Sequence, residues 1–244
     1  MALTAQLTPK IFLGSFAATS NLNSLEWGVD MQTKDRTTFA DIPYAQYTGS
    51  LKSLVCTNNG FNDYAAGAID EWQRANYGSQ QAISLAYTGE ATGNQVVISR
   101  GLLGGYRMAN QSVGDIPAVA LQLQGSGTIV AEGQVTQVST GTITATGNTT
   151  PVNIGAASAT QSVYAAIHIL SVTGTTPSAT FQLASSTTSG GAYTARGSAG
   201  AALTAAGWQW ISAAGAFTDT WWRLNVTVSG TTPVFTVFAS IAIV

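Results

Sequence analysis

The residues that do chemistry in most enzymes are scarce in this chain. There is one histidine, His168, and one cysteine, Cys56. A Ser-His-Asp triad would have to use His168, whose nearest acidic residues in the sequence are Glu132 and Asp219. A His/Cys metal cluster takes three or four such ligands, and one of each cannot supply it in a single chain. A lone cysteine leaves no intramolecular disulfide framework. His168 lies in YAAIHILSV, in step with Tyr164, Ala166, Leu170 and Val172. That placement predicts a packed or edge residue of a strand rather than a catalyst.

The carboxylates are Glu26, Asp30, Asp35, Asp41, Asp63, Asp70, Glu71, Glu90, Asp115, Glu132 and Asp219. Glycoside hydrolysis needs two of them across a cleft, and no spacing singles out a pair. Asp70 and Glu71 read as a solvated helix face. The glycines of Gly101-Leu-Leu-Gly-Gly and Gly125-Ser-Gly lack the Lys-Ser/Thr and the strand-to-helix context of a phosphate loop. Trp208, Trp210, Trp221 and Trp222 have the amphipathic chemistry of a carbohydrate platform. Alternation places one of each pair inward, so packing is the stronger expectation, with the other indole exposed. No catalytic, metal or cofactor site is expected.

These residues must be carried by strands. The chain has 244 residues, 45% of them apolar and only 8% charged, against roughly 25% charged in ordinary domains. Polarity comes from Thr, Ser, Asn, Gln and 26 Gly, a composition of strands and turns. So neutral a surface suits a protein packed against copies of itself. A β-rich secreted module is the other class it fits. The net charge of −2 gives no basic footprint for nucleic acid. The N-terminus MALTAQLTPK shows no signal-peptide pattern, so a protein made and kept in the cytoplasm is expected. The apolar C-terminal end, Pro233 to Val244, is too short for a membrane helix, and no membrane insertion is expected.

Charge marks a boundary. After residue 136 only Arg196, Asp219 and Arg223 are charged. Two domains are therefore expected, 1–139 and 140–244. In the first, Lys10–Phe16 and Leu25–Met31 read as strands, the second with period two. Gln32–Tyr47 reads as a polar loop or extended arm, and Gly49–Thr57 as the next strand. A helix over about 63–77 follows. Asp63 caps it, Ala65, Ala68, Ile69 and Trp72 form its apolar face, Asp70 pairs with Arg74, and Asn76 and Gly78 end it. Strands follow at Gln80–Thr88, Gln95–Leu102, Ala118–Gln124 and Ile129–Val138, with Gly101–Ile116 a flexible connection.

The second domain contains an echo. ILSVTGTTPSATFQL (Ile169–Leu183) is matched by NVTVSGTTPVFTVFA (Asn225–Ala239). Gly and Pro between alternating apolar runs predict a hairpin turn in each copy, and hence a small antiparallel sandwich.

One stretch carries a family resemblance. NSLEWGVDMQTKDRTTFAD followed by YTGSLKSLVCTNNGFND resembles tail tube proteins of long-tailed phages. The matching positions are Thr37, Thr38 and Phe39, then Gly49, Leu51 and Lys52, then Gly60, Phe61 and Asp63. Ala40 stands in place of the usual Gly, and Asn62 separates Phe61 from Asp63. Gly114–Val135 is similar to the family's closing hairpin. The resemblance covers 1–136 and implies a β-sandwich or half-barrel with one flanking helix. It also implies a virion tail location, hexameric rings, and their stacking into a tube that conducts DNA non-specifically. The partners implied are copies of the chain and other tail proteins, with host-surface contact through the C-terminal sandwich. Head decoration, tail-tip and adhesion proteins reuse the same fold. On this reading Lys34, Asp35, Arg36, Asp41, Tyr44, Arg107 and Asp115 are expected at contacts between subunits.

Overall fold

The computed structural model describes residues 9–35, 47–106, 118–125 and 130–244. In chain order the strands begin with β1 (Lys10–Leu13), β2 (Phe16–Ala17), β3 (Leu22–Asp35) and β4 (Tyr47–Phe61). Helix α1 (Ile69–Asn76) precedes β5 (Gln80–Ala86), β6 (Gln95–Leu103), β7 (Ala118–Gly125) and β8 (Ala131–Gln137). Short β9 (Thr142–Ile143), β10 (Gly147–Asn148) and β11 (Val152–Asn153) lead to the long β12 (Ser162–Ser186). The chain closes with β13 (Thr194–Arg196), β14 (Gly207–Ala214) and the long β15 (Trp221–Ile243). The protein is mainly β with antiparallel pairing, as its composition predicts.

The chain forms two compact units. One takes Met1–Ser20, Gln81–Ser99 and Ile129–Val244; the other takes Asn21–Gln80 and Arg100–Thr128. They are interleaved along the sequence rather than divided at one point near residue 140.

The first unit is organised by β12 and β15. They pair along nearly their whole lengths, from Val163↔Ile243 to Ser186↔Trp221. The two G-T-T-P segments do not turn the chain back as expected. They lie opposite each other in mid-ladder, with Thr175 facing Thr231 and register shifts on either side. Each long strand pairs with the other instead of folding on itself. Gly174 (φ +117°), Thr176 (φ +48°), Gly230 (φ +109°) and Thr232 (φ +48°) bend the strands there. Bulged positions of this kind also accommodate Pro177 and Pro233. On one side of the bend β12 takes β14 as a second partner; on the other it takes β13. Side chains from both halves meet in one core, including Val163, Ile167, Phe181, Trp222, Leu224, Phe235 and Ile241. This is the antiparallel sandwich expected for the C-terminal region, built by two bent strands rather than two hairpins.

A second cluster covers the other face of the β12–β15 pair. It contains Phe12, Val96, Ile98, Val135, Ala166, Phe238 and Ala242. Phe12 stacks on Phe238 with ring centroids 3.9 Å apart. The expected strand Lys10–Phe16 is broken at Gly14 (φ +55°), so β1 and β2 form a tight hairpin.

The second unit contains the β3–β4 ribbon, paired from Leu22↔Gly60 to Asp35↔Tyr47. Strand character therefore runs beyond the expected Leu25–Met31 and takes in Gln32–Asp35. The remainder of the expected arm, 36–46, lies outside the described residues. So do the side chains of Leu25, Trp27, Val29 and Met31, and residues 107–116 of the expected flexible connection. Val55–Phe61 of β4 pairs with β7, and β7 pairs with Gly101–Leu103 of β6.

The helix is shorter than expected. Asp63 does not cap it: its carboxylate accepts from Ala65 N at 2.9 Å, closing a turn upstream. The helix starts at Ile69, after Ala68, and Glu71 Oε2 reaches back to Gly67 N at 2.6 Å. Ile69 and Trp72 are buried as predicted, whereas Ala65 is exposed. Asp70 is also buried, not solvated. It accepts from Tyr106 Oη at 3.0 Å and Asn62 Nδ2 at 3.3 Å, so a tertiary partner replaces the expected i,i+4 pairing with Arg74. Gly78 (φ +76°) ends the helix as its position implied.

Candidate functional site

Of the residues expected at subunit contacts, Lys34 and Asp35 are in β3, paired with Thr48 and Tyr47 of β4. Arg36, Asp41, Tyr44, Arg107 and Asp115 lie outside the described residues. Among the described pairings β4 is the one partner of β3, and β7 covers β4 only from Val55 onward. The ribbon's outer half, Met31–Lys34 with Thr48–Lys52, therefore has no further ladder partner among those pairings. An isolated two-stranded ribbon is marginal in water. Open edges are templates for pairing with another chain.

His168 makes the most enzyme-like contact in the structure. Its Nε2 lies 2.8 Å from Ser84 Oγ, the spacing of a nucleophile and its base. Its Nδ1 lies 2.7 Å from the Gly14 carbonyl oxygen. A carbonyl only accepts, so Nδ1 carries the proton, and Nε2 accepts from the serine hydroxyl. Both side chains are fully buried, and Phe12 and Phe238 flank the imidazole. Burial pushes the His168 pKa down to about 4, against the opposing effect of the Gly14 hydrogen bond. No substrate reaches a serine sealed in this way. The pair ties β5, β12 and the β1–β2 turn together.

Two of the three charges after residue 136 form one network. Arg196 Nη2 donates to Asp219 Oδ2 at 2.8 Å, and Arg196 Nε donates to Ser185 Oγ at 2.8 Å. Ser185 in turn donates to Asp219 Oδ2 at 2.7 Å. The Ser185 hydroxyl, followed by Arg196, holds the Asp219 carboxyl below its ordinary range, and burial opposes them. The network's contribution is present above the unfolded carboxyl's pKa and is lost as pH falls through the lowered folded value. We expect Asp219→Ala to cost about 2 kcal/mol in denaturant unfolding, since it removes the acceptor of the buried Ser185 hydroxyl and of one Arg196 N–H. Arg196→Lys should not match the wild type, because a single ammonium cannot reproduce two fixed N–H directions.

Of the two tryptophan pairs only Trp221–Trp222 divides, since Trp208 and Trp210, two residues apart on β14, are both half-buried. Trp222 is fully buried and donates from Nε1 to the Gly155 carbonyl at 3.0 Å. Trp221 is half-buried and lies across the ladder from Asn153. Asn153 also lines a cleft of about 210 Å³ with Gln95, Glu132, Gly133, Gln134 and Ile154. Sequence reasoning missed this cleft, because its residues come from three strands and the chain following one of them. At its Gln95 side, Tyr87 Oη donates to Gln95 Oε1 at 2.5 Å. Burial, followed by the Glu132 carboxylate, raises the Tyr87 pKa, so the phenol keeps its proton as a donor.

The Glu90 carboxylate accepts from Ser139 N at 3.0 Å and from its hydroxyl. Among the described residues no group of three or more His, Cys, Asp or Glu gathers as a metal site. No described helix is long and apolar enough to cross a membrane.

No protein-family model matches the chain, and no curated protein matches it. Several solved chains bear a distant likeness, two of them as follows. One is from the virion of a native gene transfer agent particle, 14% identical, with a TM-score of 0.42, covering 52% of this chain and 98% of its own. The other is the Dit protein of phage SPP1, described as a paradigm of the hub adsorption apparatus in phages infecting Gram-positive hosts. It is 9% identical, with a TM-score of 0.32, and the match covers 96% of this chain and 98% of that one. Likeness at this level carries no argument about what the chain does.

Proposed function

We propose that this chain is a virion structural protein, a tail tube subunit that closes into rings and stacks them into a DNA-conducting tube. The observation that carries the reading is the β3–β4 ribbon, which falls on the stretch that resembles tail tube proteins. Its outer half, Met31–Lys34 with Thr48–Lys52, has open ladder edges among the described pairings and contains Lys34, one of the residues expected at subunit contacts. Strand pairing with a neighbouring copy would satisfy those edges, and a repeated head-to-tail contact closes a ring. The low charge of the chain supports dense self-packing. In this reading the unit that contains the β3–β4 ribbon supplies contacts between copies, and the unit built on β12 and β15 is available to other tail proteins or a host surface.

Negative-stain electron microscopy of the purified protein over a range of concentrations tests the reading. Rings and stacked tubes are the expected result. Rings that never stack would favour a hub or tail-tip subunit. Monodisperse monomer at every concentration would remove the self-assembly on which the proposal stands.

A further inference from the structure

We propose that the cleft between β6, β8 and β11 binds one pyranose ring of a neutral sugar, with Trp221 as the neighbouring aromatic surface. The assignment goes beyond ring assembly and does not depend on it.

The lining chemistry sets the ligand class. Gln95, Gln134 and Asn153 each carry an amide with donor and acceptor side by side, and Glu132 adds acceptors. Planar groups of this kind match the paired hydroxyls of a sugar. No lysine or arginine lines the cleft, so nothing there would hold a phosphate or carboxylate, and Glu132 would repel either. Two amides are already oriented. Tyr87 occupies Gln95 Oε1, and Gly155 N donates to Asn153 Oδ1 at 3.3 Å. Both leave their NH2 groups as donors.

Size narrows the class. The cleft's volume of about 210 Å³ is below the roughly 300 Å³ at which pockets for drug-sized ligands begin. One ring suits it; a nucleotide does not. Trp221 does not line the cleft but is the cross-strand neighbour of Asn153, and directly opposed residues have Cβ atoms about 5 Å apart, which places an indole next to the lining. An indole is suited to the C–H face of a pyranose. The cleft contains a single carboxylate, whereas glycoside hydrolysis uses two. The chemistry is therefore binding without cleavage.

Saturation-transfer NMR on the full chain tests this, with glucose, galactose, N-acetylglucosamine, N-acetylgalactosamine and rhamnose as probes and glycerol as the control. At least one pyranose should show transfer, strongest on one face of its ring. Glu132→Ala and Gln134→Ala should weaken its binding by about tenfold or more. Trp221→Ala should weaken it comparably, and an unchanged melting temperature in the exposed Glu132 variant excludes a folding defect as the cause. No transfer from any of the five sugars at roughly 10 mM, where millimolar affinity registers, would overturn the proposal. So would equal binding by the wild type and all three variants, or transfer from glycerol matching that from the pyranoses. Each of these readings is independent of whether the protein forms rings.

Discussion

Gly174→Ala and Gly230→Ala are each expected to destabilise the sandwich by about 3 kcal/mol or more, and by similar amounts. The two positions are equivalent in the paired echo. At Gly174 (φ +117°) a Cβ would lie 2.7 Å from the Thr232 carbonyl oxygen and 2.9 Å from Pro233 Cα. At Gly230 (φ +109°) the corresponding distances are 2.7 Å to Thr176 O and 2.9 Å to Pro177 Cα. The clashing atoms are backbone on both sides, so no side chain can swing away. An unfavourable φ alone costs about 1–3 kcal/mol, and the clash adds to it. Strain is already present at the crossing, since β-branched Thr176 and Thr232 both have φ +48°. Urea unfolding of the two variants checks the prediction. If the G-T-T-P segments were ordinary hairpin turns, each glycine would face solvent and alanine would cost only its conformational penalty. A small effect at one site and a large one at the other would break the equivalence of the two crossings.

The second large effect is a pH dependence carried by His168. Its pKa is about 4 in the folded protein and near 6.5 when the chain unfolds. Above pH 6.5 both states hold a neutral imidazole, and the core is at full strength. As pH falls below 6.5 the unfolded chain takes up a proton that the folded chain refuses. Stability therefore declines until the folded imidazole titrates near pH 4. Each pH unit in that window costs about 1.4 kcal/mol, or about 3 kcal/mol in all. Carboxylates also titrate near the lower end, so the measurement is a difference between two proteins. Unfolding free energies of the wild type and His168→Gln, taken at intervals from pH 7 to pH 4, should converge as pH falls. The variant should be less stable at pH 7, because Gly14 O and Ser84 Oγ lose a partner matched to both. Parallel pH curves for the two proteins would show that the imidazole is not held neutral in the core.

Much of this architecture is legible in the sequence because it depends on local periodicity. Leu224, Val226 and Trp222 alternate with polar neighbours, and those positions are buried in the structure. The same rule placed Trp221 outward and made His168 a strand residue. Helix propensity located Ile69 and Trp72 on a buried face. It did not locate the helix start, because the carboxylate of Asp63 serves a turn upstream and tertiary contacts hold Asp70.

What the sequence determined by itself is therefore the class: a mainly β chain, low in charge, with one histidine and one cysteine to limit its chemistry. Only the tertiary structure decided which strands meet. The echo could equally encode two hairpins or one crossed pair, because Gly, Thr and Pro permit both a reversal and a bend. The choice is made by whether the flanking strands find each other or themselves, a long-range pairing that no local signal records. The same holds for the cleft. Gln95, Glu132, Gln134 and Asn153 are unremarkable polar residues along the chain, and only the pairing of β6 with β8, and of β11 with β15, brings them to one place.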